Sequence, residues 1–172
     1  MFNVQTLYVY VLFLAQEANV KGMELEKEIS QKKFKSEFQK ASLNLMFTSS
    51  WLVNRHKDFF KPFGITPQQY NVLRILRGSY PNSMSTSDIK SRMLDKNSDV
   101  SRIVDRITLK AWAEKKVRLS DRRLVDVQIS NEGLELLEAM DAQMDTIDQS
   151  LGQLNQEEAK KLNQLLDKVR NN

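Results

Sequence analysis

Two short amphipathic segments followed by an alternating ribbon, all within residues 85–130, constrain the fold of this chain more than any other stretch. Ser85 is a good helix cap, and Asp88 stands three residues on, where its carboxylate can reach back to the N–H group of the cap. Ile89 and Met93 lie four residues apart, so they share one face of a helix. The first segment is therefore predicted to be a short helix with one buried face.

The second segment is predicted to be a helix that begins near Asn97 or Ser98, both good caps. Its apolar side chains recur at spacings of three and four residues and form the inner stripe: Val100, Ile103, Val104 and Ile107. The outer face is polar and carries Ser98, Asp99, Ser101, Arg102, Asp105 and Arg106. Arginine can donate two hydrogen bonds to guanine, and serine can meet base edges or phosphates, so this face suits a DNA major groove. An ordinary amphipathic surface helix is the alternative interpretation.

The ribbon that follows alternates apolar and polar residues on both sides of a charged tip, which predicts a half-buried β-hairpin. Its apolar positions include Val117, Leu119, Val125, Val127 and Ile129. The tip places Arg122 and Arg123 on a thin protrusion, and a narrow minor groove attracts inserted arginine because its negative potential is concentrated. Asp121 is expected to orient Arg123 rather than to touch the DNA backbone. Two short helices followed by this hairpin predict a helix-turn-helix with a wing.

Four short motifs, in this order and at this spacing, resemble the MarR family of bacterial winged-helix regulators. They are GITPQQYNVL at 64–73, VSRIVDRI at 100–107, DRR at 121–123 and ISNEG at 129–133. The resemblance covers roughly residues 33–170 and implies a homodimer that binds a pseudo-palindromic operator. It also implies release of the DNA when a small, commonly aromatic, ligand binds.

One junction departs from the family pattern, because Ala111 stands where the family usually has glycine after the second helix of the motif. A glycine there suits a left-handed helix end, a conformation that costs a residue with a Cβ atom about 1 kcal/mol or more. Trp112 and Ala113 follow, where the family tends to place aliphatic residues. The sequence therefore predicts a strained or differently packed junction.

The pattern as a whole predicts a mainly α fold with a small β-hairpin wing: four helices, the wing, and two further helices. These form a winged helix-turn-helix and a helical dimerisation lobe. One long helix is predicted from about residue 31 to 61, stopped by Pro62 and Gly64, and Thr66-Pro67 starts the next. Beyond the wing, apolar residues at heptad-like spacing predict packing against another helix: Leu137, Met140, Met144, Ile147, Leu151 and Leu154. A final helix is predicted after Asn155.

These elements divide the chain into four predicted regions. Residues 1–22 form an N-terminal apolar extension of uncertain role, 23–63 the long N-terminal helix of the dimerisation lobe, 64–130 the winged helix-turn-helix DNA-binding lobe, and 131–172 the C-terminal dimerisation helices. A dimer is favoured over a monomeric bundle that uses the same apolar stripes, because one half-site alone gives little affinity.

The apolar run within residues 2–15 is shorter than the roughly 20 residues that a transmembrane helix needs. No lysine or arginine precedes Lys21, although a signal peptide should begin with one. The segment could pack against the dimer, lie upstream of a natural start at Met23, or be a poor targeting signal. We expect no membrane partner and a cytoplasmic protein.

The net charge of +4 and the pI near 9.2 are compatible with DNA binding without proving it. The chain has no cysteine, which excludes a disulfide scaffold, a thiolate metal site and a cysteine-based peroxide sensor. The single histidine, His56, cannot build a zinc site by itself, and the sequence has no Gly-rich phosphate loop, nucleophile–base set or metal motif. We expect no cofactor and no enzymatic activity.

The expected DNA contacts are the outer face of the second helix, the wing tip (Asp121, Arg122 and Arg123), and three cations that could meet phosphates: Lys90, Arg92 and Lys96. The resemblance also implies an effector pocket, which Trp51, His56, Phe59 and Tyr70 could line, although each is also a candidate for plain core packing. The expected partners are double-stranded DNA, a second copy of the chain and a small-molecule effector. The alternative is a winged-helix module that binds another protein, with its basic face incidental.

Overall fold

The computed structural model describes residues 23–117, 125–143 and 151–171. The chain divides into two compact units, Met1–Trp51 and Leu52–Asn172. Within the described ranges, no helix combines the length and the apolar character that crossing a membrane requires.

The first unit contains a short helix α1 (Leu25–Glu28) and the beginning of the long helix α2 (Glu37–Phe60). Ser30, with a φ of 52°, follows the end of α1. The Ser36 hydroxyl accepts a hydrogen bond from the Gln39 N–H group at 3.2 Å, so it caps the start of α2. The predicted helix from about residue 31 is therefore wrong at its start, because this cap begins the helix six residues later and α1 precedes it.

The long helix ends where the sequence predicted. A single 3-10 turn (Lys61–Phe63) follows α2, and Gly64 then adopts a left-handed conformation with a φ of 64°. Helix α3 (Pro67–Arg77) begins directly afterwards with Thr66 as its cap. The Thr66 hydroxyl and the side chain of the third helical residue bond reciprocally to the backbone, which satisfies two N–H groups that a helix start leaves unpaired.

The helix-turn-helix consists of α4 (Thr86–Arg92) and α5 (Val100–Leu109). The Ser85 hydroxyl accepts from the Asp88 N–H group at 3.1 Å, which confirms the predicted cap of α4, although the Asp88 carboxylate accepts from the Ser85 hydroxyl rather than from its N–H group. Helix α5 begins at Val100 instead of near Asn97 or Ser98. The Asp99 carboxylate is its cap and accepts from the backbone of the first turn at 3.1 Å.

The predicted hairpin is present as β2 (Ala113–Val117) and β3 (Val125–Ile129), paired antiparallel with Lys115 opposite Val127. A two-residue strand β1 (Met84–Ser85) pairs with the other edge of β3, so the strand order is β1-β3-β2. Sequence reasoning missed β1, because two residues cannot show an alternating pattern. The predicted tip of the wing lies outside the described residues.

The core of the second unit lies between α3, α4, α5, helix α6 (Asn131–Asp141) and the sheet. Its fully buried members include Leu73, Leu76, Ile89, Val104, Ile107, Val127 and Leu137. Val100, Val104 and Ile107 of the predicted inner stripe of α5 are buried, and Ile103 is half-buried, so the prediction of this stripe is confirmed. Each such side chain stabilises the fold by about 1.5–3 kcal/mol on burial, which holds α5 by one face and leaves the other exposed.

Beyond α6, helix α7 (Gln156–Arg170) starts with a reciprocal cap between Asn155 and Glu158, as predicted. The predicted heptad-like seam packs against another helix in its first part. Leu137 and Met140 are fully buried in the core of this chain, where α6 contacts α3, so they are not available to a helix of a second copy. Met144 and Ile147 lie outside the described residues, and Leu151 is exposed.

Candidate nucleic-acid interface

The exposed face of α5 carries Ser101, Arg102, Asp105 and Arg106. Arg102 and Arg106 are four residues apart, so their side chains lie on the same side of the helix one turn from each other. In the part of the chain that the structure describes, neither guanidinium group has an ion-pair partner. Both arginines therefore keep the paired donors that guanine or phosphate accepts.

Two of the predicted DNA-contact residues, Ser98 and Asp99, make hydrogen bonds that stabilise the start of α5. The Asp99 carboxylate caps the helix, and Ser98 is buried with its hydroxyl donating to Asp95 Oδ2 at 3.2 Å. Lys96 in the same turn donates from Nζ to the Ser91 carbonyl at 2.5 Å. These bonds fix the turn between the two helices, and fixing it sets the direction in which α5 presents its outer face.

Asp105 forms an ion pair with Lys115, which lies on β2. The contact joins the outer face of α5 to the strand that leads into the wing. Sequence reasoning missed Lys115, because the run Glu114-Lys115-Lys116 is polar throughout and does not show which side chain faces the helix. Asp105 thus holds a lysine at the edge of the exposed face.

Open clefts border this face. One of about 340 Å³ brings Arg102 and Arg106 together with Gln68 at the start of α3. A second, of about 380 Å³, is lined by Lys90 of α4 together with Ser101. Arg92 lines a different cleft of about 440 Å³ beside Tyr80, so the structure does not bring it together with the residues of α5. The predicted wing contacts, Asp121, Arg122 and Arg123, lie outside the described residues.

The segment that joins α5 to β2 is held by several contacts. Ala111 has a φ of 57°, so of the two alternatives that the sequence left open the junction adopts the strained one, with a left-handed residue that carries a Cβ atom. Lys110 donates from Nζ to the Gly64 carbonyl at 2.5 Å, and its ammonium lies 4.4 Å from the centre of the Trp112 ring. The Ser130 hydroxyl donates to the Ala111 carbonyl at 2.6 Å. The end of α5 is therefore tied both to the chain before α3 and to the start of α6.

The aromatic residues proposed for an effector pocket are distributed over both units. Trp51 belongs to the first unit, whereas His56, Phe59 and Tyr70 belong to the second. The Phe60 ring lies 4.7 Å from the Tyr70 ring and 5.2 Å from the Phe59 ring, centre to centre. Within the described part of the chain, the clefts beside α4 and α5 are lined by none of the four predicted residues. In this conformation Phe59 and Tyr70 act as packing residues.

His56 has only modest burial, and this burial lowers the pKa of its imidazole below the usual value. Its ring lies edge-on to Phe60, with the ring centres 6.4 Å apart. Across the described ranges, no group of three or more histidine or acidic side chains is placed to hold a metal ion.

No family model matches the chain. A MarR transcription factor from Planctomyces limnophilus has 29% sequence identity and a TM-score of 0.63, over 78% of this chain and 98% of that chain. A mutant MarR from E. coli in complex with operator DNA has 22% identity and a TM-score of 0.69, over 80% and 99%. The MepR–DNA complex from S. aureus has 21% identity and a TM-score of 0.67, over 80% and 97%.

A curated relative is PecS, an HTH-type transcriptional regulator from Dickeya dadantii (strain 3937), with 28% identity over 90 residues. The match covers 51% of this chain and 54% of PecS, so the chain spans about half the length of that relative. The two structures with DNA share the fold of this chain at low sequence identity. The Planctomyces protein adds sequence similarity over most of both chains.

Proposed function

Because the chain belongs to the MarR family of winged-helix transcriptional regulators, we propose that it binds a pseudo-palindromic operator as a homodimer and acts as a repressor. In this proposal α5 is the recognition helix and enters the major groove. The wing residues Arg122 and Arg123 contact the minor groove, with Asp121 orienting Arg123.

The observation that carries the proposal is the division of α5 into two faces. Its inner stripe is buried in the core, and its outer face presents Arg102 and Arg106 with no ion-pair partner among the described residues. A rigidly held helix with two arginines one turn apart matches what base-edge recognition requires. Lys90 and Lys96 flank this face and supply contacts to phosphates, and Arg92 adds a further cation on α4.

In this proposal Ser98 and Asp99 have an indirect role in DNA binding, because Asp99 caps α5 and Ser98 donates to Asp95 in the preceding turn. Both residues act on the turn that precedes the recognition helix, so they position Ser101 and Arg102 rather than touch a base. The region 64–130 provides the DNA contacts, and the regions 23–63 and 131–172 provide the contacts between the two copies.

A fluorescence-anisotropy titration tests the DNA-binding proposal. The labelled duplex is the one that the protein itself enriches from a random library, and a scrambled duplex is the control. We expect saturable binding at one dimer per site, with a steep fall in affinity as salt rises because several phosphate contacts release counterions. Arg102→Ala should weaken binding about 10-fold to 100-fold and relax the base preference at one position of each half-site.

Lys32→Ala is the matched control for this variant, since it removes one positive charge from an exposed residue of the first unit. Affinity close to that of the unaltered chain is expected for Lys32→Ala. Equal and weak binding of the unaltered chain to both duplexes would overturn the operator proposal and favour a protein partner instead.

We also propose that a small aromatic effector releases the DNA by binding among His56, Phe59 and Tyr70. The proposal is supported by the aromatic contacts that Phe59 and Tyr70 make with Phe60, since aromatic rings pack favourably against one another. The same titration, repeated with a panel of small aromatic compounds, tests release. A panel that leaves the DNA affinity unchanged would contradict the effector proposal and leave the DNA-binding proposal intact.

A further inference from the structure

We propose that the cleft between the start of α4, the first turn of α5 and β2 is the seat of one phosphate of the DNA backbone, with Lys115 as its cation. The inference rests on the DNA-binding function proposed above and deepens it by adding a contact on β2. The cleft has a volume of about 210 Å³. It is lined by Ser85, Thr86, Ser87, Ser101, Val104, Asp105, Lys115 and Val125.

Hydroxyl groups make the cleft suitable for a phosphate. Thr86, Ser87 and Ser101 reach it from two different helices, and hydroxyls are common donors to phosphate oxygens in DNA complexes. The Ser87 hydroxyl lies 2.8 Å from that of Ser85. Within the described part of the chain, the hydroxyls of Thr86 and Ser101 have no hydrogen-bond partner. Two donors in the cleft are thus uncommitted.

Lys115 supplies the positive charge. A lysine ammonium has three N–H donors, and one of them is used by the Asp105 carboxylate. The remaining two can point to a phosphate that sits on the hydroxyls. Asp105 also lines the cleft, and its negative charge is offset by the lysine that it holds.

This arrangement changes the role of Asp105. An acidic side chain on a recognition helix can accept a hydrogen bond from cytosine, and the sequence placed Asp105 among the DNA contacts. In the structure the carboxylate is committed to Lys115, so Asp105 is a positioning residue that acts through the lysine. The seat therefore contributes affinity without sequence preference, and the base preference belongs to Arg102 and Arg106.

Lys115→Met tests the seat, with Lys116→Met as its matched control. Lys116 is the next residue on β2, and neighbouring residues of a strand point to opposite faces. Its Nζ donates to Gln128 Oε1 at 2.6 Å, away from the cleft. Both variants remove one positive charge from the same strand, so a difference between them reports the position of the charge and not its number.

Both variants are titrated with the selected duplex and with the scrambled one. Lys115→Met should lose affinity about tenfold on both duplexes alike and lower the salt slope by about one unit. Lys116→Met should change both quantities much less, and Lys115→Arg should restore most of the loss. Circular dichroism checks the fold of each variant, and Lys115→Gln replaces Lys115→Met should the apolar side chain unfold the ribbon.

Single methylphosphonate substitutions in the DNA, which remove the charge of one phosphate, locate the contact. At one position per half-site the substitution should weaken the unaltered chain and leave Lys115→Met nearly unaffected. A purely structural role of Lys115 cannot produce such a position-specific coupling. Asp105→Asn should keep the base preference of the unaltered chain, which a second selection from the random library measures.

Two sets of results would overturn the inference in distinguishable ways. If the unaltered chain binds no duplex saturably, the proposed function fails and the phosphate seat fails with it. If the unaltered chain binds but Lys115→Met and Lys116→Met lose affinity equally, or if no methylphosphonate position couples to Lys115, the seat alone fails. A changed base preference in Asp105→Asn would show that this carboxylate reads a base.

Discussion

Ala111 carries a conformational cost just after the end of α5. Its φ of 57° lies in the left-handed region, where a Cβ atom crowds the following carbonyl oxygen. The strained conformation persists because hydrogen bonds on both sides hold the junction in place. Trp112 donates its N–H to the Ile107 carbonyl at 2.9 Å, and the Ser130 hydroxyl donates to the Ala111 carbonyl. A single residue therefore stores energy at the end of α5, the helix whose exposed face carries Arg102 and Arg106.

Replacing Ala111 with glycine should relieve this strain. We expect Ala111→Gly to raise the free energy of unfolding by about 1 kcal/mol, because glycine adopts this φ without steric cost. Denaturation by urea, followed by circular dichroism, measures the change. Ala142→Gly is the control, since Ala142 ends α6 with an ordinary right-handed φ of −61° and should gain nothing. A loss of stability in Ala111→Gly would show that the methyl group contributes more packing than strain.

At the scale of elements, the start of α6 packs closely against the sheet of the winged unit. The Ser130 hydroxyl caps α6 by accepting from the Gly133 N–H group at 3.1 Å, and the Ser130 N–H group donates to the Trp112 carbonyl at 3.2 Å. A Cβ atom on Gly133 would lie 2.2 Å from that carbonyl oxygen and 2.8 Å from Ile129 Cγ1. Glycine at this position lets the helix start lie against the strands.

Gly133→Ala should therefore destabilise the protein by about 2 kcal/mol, because the helix must move away from a backbone oxygen that cannot yield. Gly78→Ala is the matched control, since a Cβ atom there meets nothing closer than 3.5 Å. The control should be neutral or slightly stabilising. Thermal and chemical denaturation of both variants measure the difference, and equal midpoints would contradict the close packing of α6.

At the scale of the whole molecule, each unit leaves apolar side chains exposed on a helix. In the first unit these are Phe38, Leu45 and Met46 of α2, and in the second they include Leu165 and Val169 of α7. Phe38 is 89% exposed and Met46 is 68% exposed. Contact between such large apolar side chains and water is unfavourable. In the proposed dimer, a second copy of the chain covers these side chains.

Charging the exposed stripe of α7 should break the dimer. We expect the double variant Leu165→Glu, Val169→Glu to sediment as one chain where the unaltered protein sediments as two. Its operator affinity should fall by at least tenfold, because one half-site alone binds weakly. Gln164→Glu, on a polar and exposed position of the same helix, should keep the dimer. An unchanged mass of the double variant would place the interface elsewhere.

The sequence by itself determined the elements whose signals are local. The inner stripe of α5 and the caps at Thr66, Ser85 and Asn155 all depend on residues within a few positions of one another. Helical and strand periodicity, cap chemistry and backbone sterics act over that range, so they can be read from the order of residues alone. The resemblance to a family rested on four short motifs and on their order along the chain, both of which can be seen in the sequence.

Only the tertiary structure decided which neighbours those elements meet. Met84 lies in a strand because it pairs with the free edge of β3. Leu137 and Met140 face the core of this chain, although their spacing would equally suit packing against a helix of a second copy. Lys115 reaches Asp105 because the hairpin folds back onto α5, a contact between residues whose local sequence gives no sign of it. Side-chain partners across elements depend on how the elements pack, and packing is set by the shape of the whole core rather than by any one stretch.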